Sequence, residues 1–225
     1  DGDILFFRNT GTVNSPVFAA AVFNPFGLTD VSYSASPSFV DIDNDGDLDA
    51  FVGEFTGSIF FFFFIGTTSN PVFAAATINP FGLIDVGDFV SPVFVDIDND
   101  GDLDAFVGGY QGNTLFFRNT GTASNPVFAT ASTNPFGLTD VGIAASPSFV
   151  DIDGDGDLDA LIGNSVGNTL FFRNNGTVSN PVFAAASTNP FGLSKVGYSA
   201  SPAFVDIDAD GDLDAFVGEF SGNTR

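Results

Sequence analysis

The ten-residue string DIDxDGDLDA occurs four times, beginning at Asp41, Asp96, Asp151 and Asp206, and each copy starts 55 residues after the one before it. A fixed period of this length belongs to an architecture in which one supersecondary unit is stacked several times, each covering its neighbour's apolar face. Hydrophobic residues make up 44% of the chain and no linker interrupts the pattern, so residues 1–225 read as one ordered domain.

Between one motif and the next lie four strand-like runs. Residues 38–42 (SFVDI) are almost wholly apolar and suit a strand buried on both faces. After the motif, residues 50–53 (AFVG) begin a second strand, and residues 114–118 (TLFFR) illustrate the third, entered through a Gly-Asn turn. Asn-Thr-Gly-Thr marks the next reversal, and a Pro-Val-Phe-Ala run, as at residues 126–129, supplies the fourth. A return loop then carries NPFGL at Asn24, Asn79, Asn134 and Asn189. The 12 prolines fall three to a repeat, all at segment edges, which fits strands and excludes helices of any length. The chain is therefore all-β, and four short antiparallel strands per repeat predict a β-propeller of four 55-residue blades.

Residues 1–8 (DGDILFFR) fall in phase with residues 111–118 (QGNTLFFR), so the chain opens at the third strand of a blade and reads as a mature, processed or partial sequence. It stops at residues 221–225, just after a second strand. The expectation is that the N-terminal third and fourth strands complete the blade whose first two strands are C-terminal. The alternatives are a share of a larger seven- or eight-bladed ring, or half of a ring made by a homo-oligomer. No signal peptide stands at the start, and no apolar run approaches the ~20 residues that span a bilayer.

The acidic residues explain the motif. In the first copy, Asp41, Asp43 and Asp45 occupy positions one, three and five, and Gly46 permits a sharp turn with positive φ. Asp47 at position seven offers its main-chain carbonyl, Asp49 at position nine closes the loop, and Leu48 points away to anchor it on the core. The equivalent sets are Asp96, Asp98, Asp100, Asp102 and Asp104; Asp151, Asp153, Asp155, Asp157 and Asp159; and Asp206, Asp208, Asp210, Asp212 and Asp214. Ca²⁺ takes about six to eight oxygen ligands, which alternating carboxylates around a glycine turn supply, whereas Mg²⁺ favours fewer protein ligands in a tighter octahedron. One Ca²⁺ per motif, four in all, is expected. An EF-hand is excluded, because the position of its closing Glu holds Val52, Val107, Ile162 and Val217. Twenty of the 28 acidic residues lie in the motifs, and four Ca²⁺, with eight positive charges, would bring the formal charge from −23 to −15. With five basic residues the chain has no electrostatic footprint for nucleic acid, and anionic membranes would repel it.

Asp-x-Asp-x-Asp-Gly-Asp-Leu-Asp-Ala, followed by an apolar strand, a Gly and then Gly-Asn-Thr-Leu-Phe-Phe-Arg-Asn, resembles the FG-GAP/VCBS repeat family, the calcium-binding blade type also found in the integrin α-subunit propeller. The resemblance covers essentially the whole chain. It implies a β-propeller with calcium held between the first and second strands of each blade. It also implies an extracellular or cell-surface setting and a role in adhesion or ligand recognition. Propellers of that family are more often seven-bladed.

Neither His nor Cys is present, so the usual nucleophile–base pairs are missing and no catalytic residue is assigned. A glycan-active carboxylate pair has little support. Of the acids outside the motifs (Asp1, Asp3, Asp30, Glu54, Asp85, Asp88, Asp140 and Glu219) none recurs in all four repeats, and Glu54 and Glu219 share a phase that Gly109 and Asn164 fill in the other two copies. These acids read as lone surface carboxylates. The reading that remains is a calcium-stabilised binding or adhesion module with an unidentified protein or glycan ligand. A multivalent carbohydrate-binding propeller ranks second, since only Tyr33, Tyr110 and Tyr198 join Phe for sugar stacking and Trp is absent. The 30 phenylalanines read as core filling between blades. One irregularity stands out: residues 59–65 read IFFFFFI, with Phe63 and Phe64 at the positions of Arg118 and Asn119. That segment marks a contact surface, an aggregation-prone patch or an imperfect copy of the repeat.

Overall fold

The computed structural model describes residues 2–12 and 15–224; Asp1 and Arg225 lie outside that range. The N-terminal strands β1 (Leu5–Phe6) and β2 (Val22–Phe23) form a two-stranded sheet. Three complete four-stranded sheets follow. The first holds β3 (Ser36–Val40), β4 (Asp49–Gly53), β5 (Ile59–Phe62) and β6 (Thr77–Ile78). The second holds β7 (Ser91–Val95), β8 (Asp104–Gly108), β9 (Thr114–Phe117) and β10 (Ser132–Thr133). The third holds β11 (Ser146–Val150), β12 (Asp159–Gly163), β13 (Thr169–Phe172) and β14 (Ser187–Thr188). The pair β15 (Ser201–Val205) and β16 (Asp214–Gly218) forms a last two-stranded sheet. Every pairing is antiparallel between consecutive strands, so each repeat makes a meander, and the all-β blade expectation holds.

The strand boundaries correct the sequence reading in two places. The strand buried on both faces is the second of each blade, not the first: β4, β8 and β12 are buried at all five positions, while β3 alternates between half-buried and exposed. The second strand is flanked by strands on both edges, whereas the first lies at the edge of its sheet. The fourth strand is β6, β10 or β14, immediately before NPFGL, and the Pro-Val-Phe-Ala run makes only isolated bridges, such as Asn119 to Phe128. The run stays beside its own third strand, with the Thr120 N–H donating to the Val127 carbonyl and the Ala129 N–H to the Arg118 carbonyl, both at 2.8 Å, while the outward Phe128 N–H donates to the Phe81 carbonyl at the blade junction at 2.8 Å.

NPFGL is the joint between blades. Its Asn sits at positive φ (44° at Asn24, 49° at Asn79), a conformation that Asn tolerates better than most residues. The Asn79 side chain accepts from the Ile59 N–H at 2.8 Å, and Asn134 does the same for Thr114 at 2.9 Å, so the turn is tied to the start of the third strand. The apolar cores fill the spaces between blades rather than their interiors. Phe51 packs at 4.7 Å on Phe61 within its blade and at 4.2 Å on Phe94 of the next; Phe106 repeats this with Phe116 at 4.7 Å and Phe149 at 4.3 Å. The phenylalanine-rich composition is thus used where two sheets diverge and large flat rings fill the gap.

The first strands stand side by side in the order β3, β7, β11, β15. Their leading serines meet in pairs, Ser36 with Ser91 at 3.3 Å and Ser146 with Ser201 at 3.2 Å. Among the described residues the two half-blades stay separate. The β1–β2 and β15–β16 sheets share no ladder, and the ring closure expected from the sequence is not formed.

Candidate metal centre

Each motif forms the connection from a first strand to a second. The first Asp organises the loop with both carboxylate oxygens: Asp41 accepts from the N–H groups of Asp45 at 3.0 Å and Gly46 at 2.9 Å. Asp96, Asp151 and Asp206 repeat both contacts at 2.9–3.1 Å. The fifth-position Asp45 accepts from the Asp47 N–H at 2.9 Å. This folding brings positions one, three and five together in all four copies, with one oxygen from each within 4.8 Å of the others. Position four takes positive φ in every copy, at Asn44, Asn99, Gly154 and Ala209, a requirement the Asn, Asn and Gly there signalled and the sequence reading passed over.

Position nine is held from outside the motif. Asp49, Asp104 and Asp159 each accept a 2.7 Å hydrogen bond on Oδ1 from the main-chain N–H of Phe64, Asn119 and Asn174, just past the third strand. The donor is backbone, so Phe64 serves as well as Asn. The opposite oxygens, Oδ2 of Asp49, Asp104 and Asp159, are buried without a hydrogen-bond partner, as are Oδ1 of Asp43, Asp98, Asp102 and Asp157. Burial raises the carboxyls of Asp49 and Asp159 to about 6 and that of Asp104 to about 7, and the neighbouring loop carboxylates push the same way against the backbone hydrogen bond. Buried carboxylate oxygens left unpaired are costly unless a cation neutralises them.

The copies are not equal. Arg118 pairs with Asp98 at 2.5 Å and Asp100 at 3.3 Å, and Arg173 pairs with Asp153 at 2.6 Å and Asp155 at 3.6 Å, while the first loop has Phe63 in that place. In the fourth loop Asp208, Asp210 and Asp214 are all exposed, and Asp214 accepts only from its own loop, from the Ile207 N–H at 3.3 Å. Leu103 and Leu158 pack against inter-blade cores as expected, but Leu48 is exposed over an open apolar cavity. Glu54 is buried rather than a surface carboxylate: it accepts from the Thr56 and Ser58 N–H groups at 2.8 and 3.0 Å and staples a turn. In the IFFFFFI segment Ile59, Phe61 and Phe62 are core, and only Phe63 and Ile65 are exposed.

A model of the FG-GAP-like repeat matches residues 96–162 and 151–217, together more than half of the chain. The chain belongs to the FG-GAP-like repeat family. No curated protein matches it significantly. Among solved structures it is similar to a chain of the Photorhabdus luminescens Tc holotoxin pore, with 12% sequence identity and a TM-score of 0.43. That similarity covers 98% of this chain and 12% of the other. The two matched FG-GAP-like segments contain the second, third and fourth Asp loops.

Proposed function

We propose that each loop holds one Ca²⁺ and that the chain is a calcium-stabilised binding or adhesion module, extracellular or at a cell surface, without catalytic activity. The supporting observation is the set of buried, unpartnered carboxylate oxygens that Asp49, Asp104 and Asp159 turn toward the acids of their own loops. Positions one, three, five and nine would give side-chain oxygens and position seven its main-chain carbonyl, an all-oxygen set suited to Ca²⁺. FG-GAP-like repeats commonly bind calcium and are typical of extracellular and surface proteins. Among the described residues no helix is long and apolar enough to cross a membrane. For extracellular modules with a Kd of ~10⁻⁴ M, millimolar calcium adds roughly 1.4 kcal/mol per site. Differential scanning calorimetry with calcium and with EDTA tests this: a drop in Tm of ~10 °C or more on chelation is expected, and an unchanged Tm would refute it.

A lectin reading has one specific observation in its favour. A cavity of ≈ 480 Å³ beside Asp43, Phe61 and Phe63 recurs one repeat later as a cavity of ≈ 330 Å³ beside Asp98, Phe116 and Arg118. Each is walled by the Ser-Asn-Pro-Val turn of the following blade, so a sugar that fits one copy meets several. A glycan array separates the readings, since binding to one sugar class promotes the lectin and silence leaves a protein ligand.

A further inference from the structure

The residue just past the second strand has the same task in three of the four repeats. Glu54 accepts from the Thr56 and Ser58 N–H groups at 2.8 and 3.0 Å. Asn164 accepts on Oδ1 from the Asn168 N–H at 3.1 Å and donates from Nδ2 to the Val141 carbonyl at 2.9 Å. Glu219 accepts from the Ser221 N–H at 3.2 Å. The second repeat has Gly109 in this phase. Where the side chain would lie there is instead a cavity of ≈ 290 Å³, lined by Val86, Asp88, Gly109, Tyr110, Asn113 and Leu115 among others.

The groups that this side chain meets elsewhere are present around Gly109 without it. Among the described residues no acceptor meets the N–H of Gln111 or Asn113, which match those of Thr56 and Ser58. No donor meets the Val86 carbonyl, which matches that of Val141. The Gln111 side chain lies at the exposed rim and bonds to none of them. Nothing in the backbone requires glycine here. A Cβ on Gly109 would have ordinary contacts, 3.7 Å to the Val86 oxygen and 3.8 Å to that of Asp88, and its φ lies outside the left-handed region. Gly108 beside it has no such room, since a Cβ there would run into the Ala145 carbonyl of the next blade.

We propose that this cavity binds a carboxamide, the Asn or Gln side chain of a partner polypeptide. The Gln111 and Asn113 N–H groups call for an oxygen, and the Val86 carbonyl calls for an N–H. A primary amide supplies both, as Asn164 does in the same place one repeat on. A carboxylate offers no N–H, and an ammonium offers no acceptor. Charge selects against acids too, because Asp88 stands at this cavity where the other repeats have Tyr33, Ile143 and Tyr198. Val107 and Leu115 give apolar wall to the methylene groups of the incoming side chain. Tyr110, stacked on Phe89 at 5.6 Å and 40% exposed, offers a flat contact to the backbone that carries it. A polypeptide is favoured over an N-acetyl sugar because the group already displayed in this place is an Asn side chain, whereas the sugar's amide nitrogen carries the ring and keeps a single N–H.

The site lies outside the Asp loops and gives the proposed binding module a ligand chemistry without using the metal. Proton–nitrogen correlation NMR of the whole chain in calcium buffer reads it directly. The probes are end-blocked tripeptides with a central Asn or Gln between glycines, and their Asp, Glu and Ala counterparts. The Gln111 and Asn113 N–H signals are expected to shift with the amide peptides, at an affinity at least about tenfold above that of the acid and Ala peptides. Gly109→Asn, which supplies the amide from within, should abolish the shifts and raise Tm, and Asp88→Asn should narrow the preference over the acids. No response at these two signals, or an equal response to every peptide, overturns the proposal in the unsubstituted chain, whatever the variants do. Shifts that survive in folded Gly109→Asn overturn it as well, and a stronger response to N-acetylglucosamine than to either amide peptide overturns the polypeptide assignment. Peptide binding with a Tm that EDTA leaves unchanged would defeat the metal reading alone; calcium-dependent melting without peptide binding would defeat this inference alone.

Discussion

The second and fourth Asp loops differ at one residue in ten, Asn99 against Ala209, yet their ninth-position carboxylates lie in opposite environments: Asp104 is 1% exposed, and Asp214 is open to solvent. The difference comes from the strand beside them. Asp104 is covered by the end of β9 and bonded to the Asn119 N–H, while among the described residues β16 is met on that side only by the bridge of Gly218 to Thr224. The motif alone therefore makes a turn with clustered acids; the motif with a third strand makes a buried pocket of negative charge.

The sharpest way to break this comparison is to substitute the two carboxylates separately. Asp104→Asn is expected to remove one calcium and about 1–3 kcal/mol of stability, because it takes the charge from a buried, hydrogen-bonded site. Asp214→Asn, at an exposed carboxylate, should stay within about 0.5 kcal/mol. Equal losses in urea melts would mean that the third strand is not what builds the site.

Acidity gives a second contrast, smaller in size and opposite in sign with and without metal. In EDTA, the raised carboxyls of Asp49, Asp104 and Asp159 hold protons in the folded state that the unfolded chain has released. Their contribution is fully present below the unfolded carboxylate value and is lost as the pH rises through about 6 to about 7. The chelated protein should therefore melt higher near about pH 5 than near about pH 8, and saturating calcium should reverse the order, since the ion binds the ionised groups. Parallel pH profiles in the two conditions would contradict the assignment.

The smallest effect sharpens the comparison among the interior loops. Arg118 and Arg173 offset part of the negative charge of the second and third loops, and Phe63 leaves the first uncompensated. Exposed pairs of this kind are worth ~0–1 kcal/mol. Arg118→Phe should tighten calcium binding to its loop by up to about fivefold and Phe63→Arg should weaken the first loop similarly, both read by isothermal titration.

Much of this was legible in the chain itself. The unbroken period fixed the unit, and the alternation of Asp around Gly46, Gly101, Gly156 and Gly211 located the four clusters that the fold brings together. What escaped was what depends on the neighbouring blade. Residues 126–129 have strand composition and lie beside the third strand, but the outward Phe128 N–H bonds across the junction, and no local pattern reports a partner 47 residues away. Residues 38–42 look like a buried strand because their apolar content is high, whereas burial follows position in the sheet. Leu48 and Leu103 are the same residue in the same motif, and only the open cavity under one of them separates their fates.

The junctions also constrain how such a chain can change over generations. Gly108 against the Ala145 carbonyl and the Phe128 N–H on Phe81 recur at a spacing fixed by the repeat itself. Gain or loss of one residue within a unit displaces both contacts, while gain or loss of a whole unit recreates them unaltered. The architecture therefore tolerates a change of length best in steps of one whole repeat.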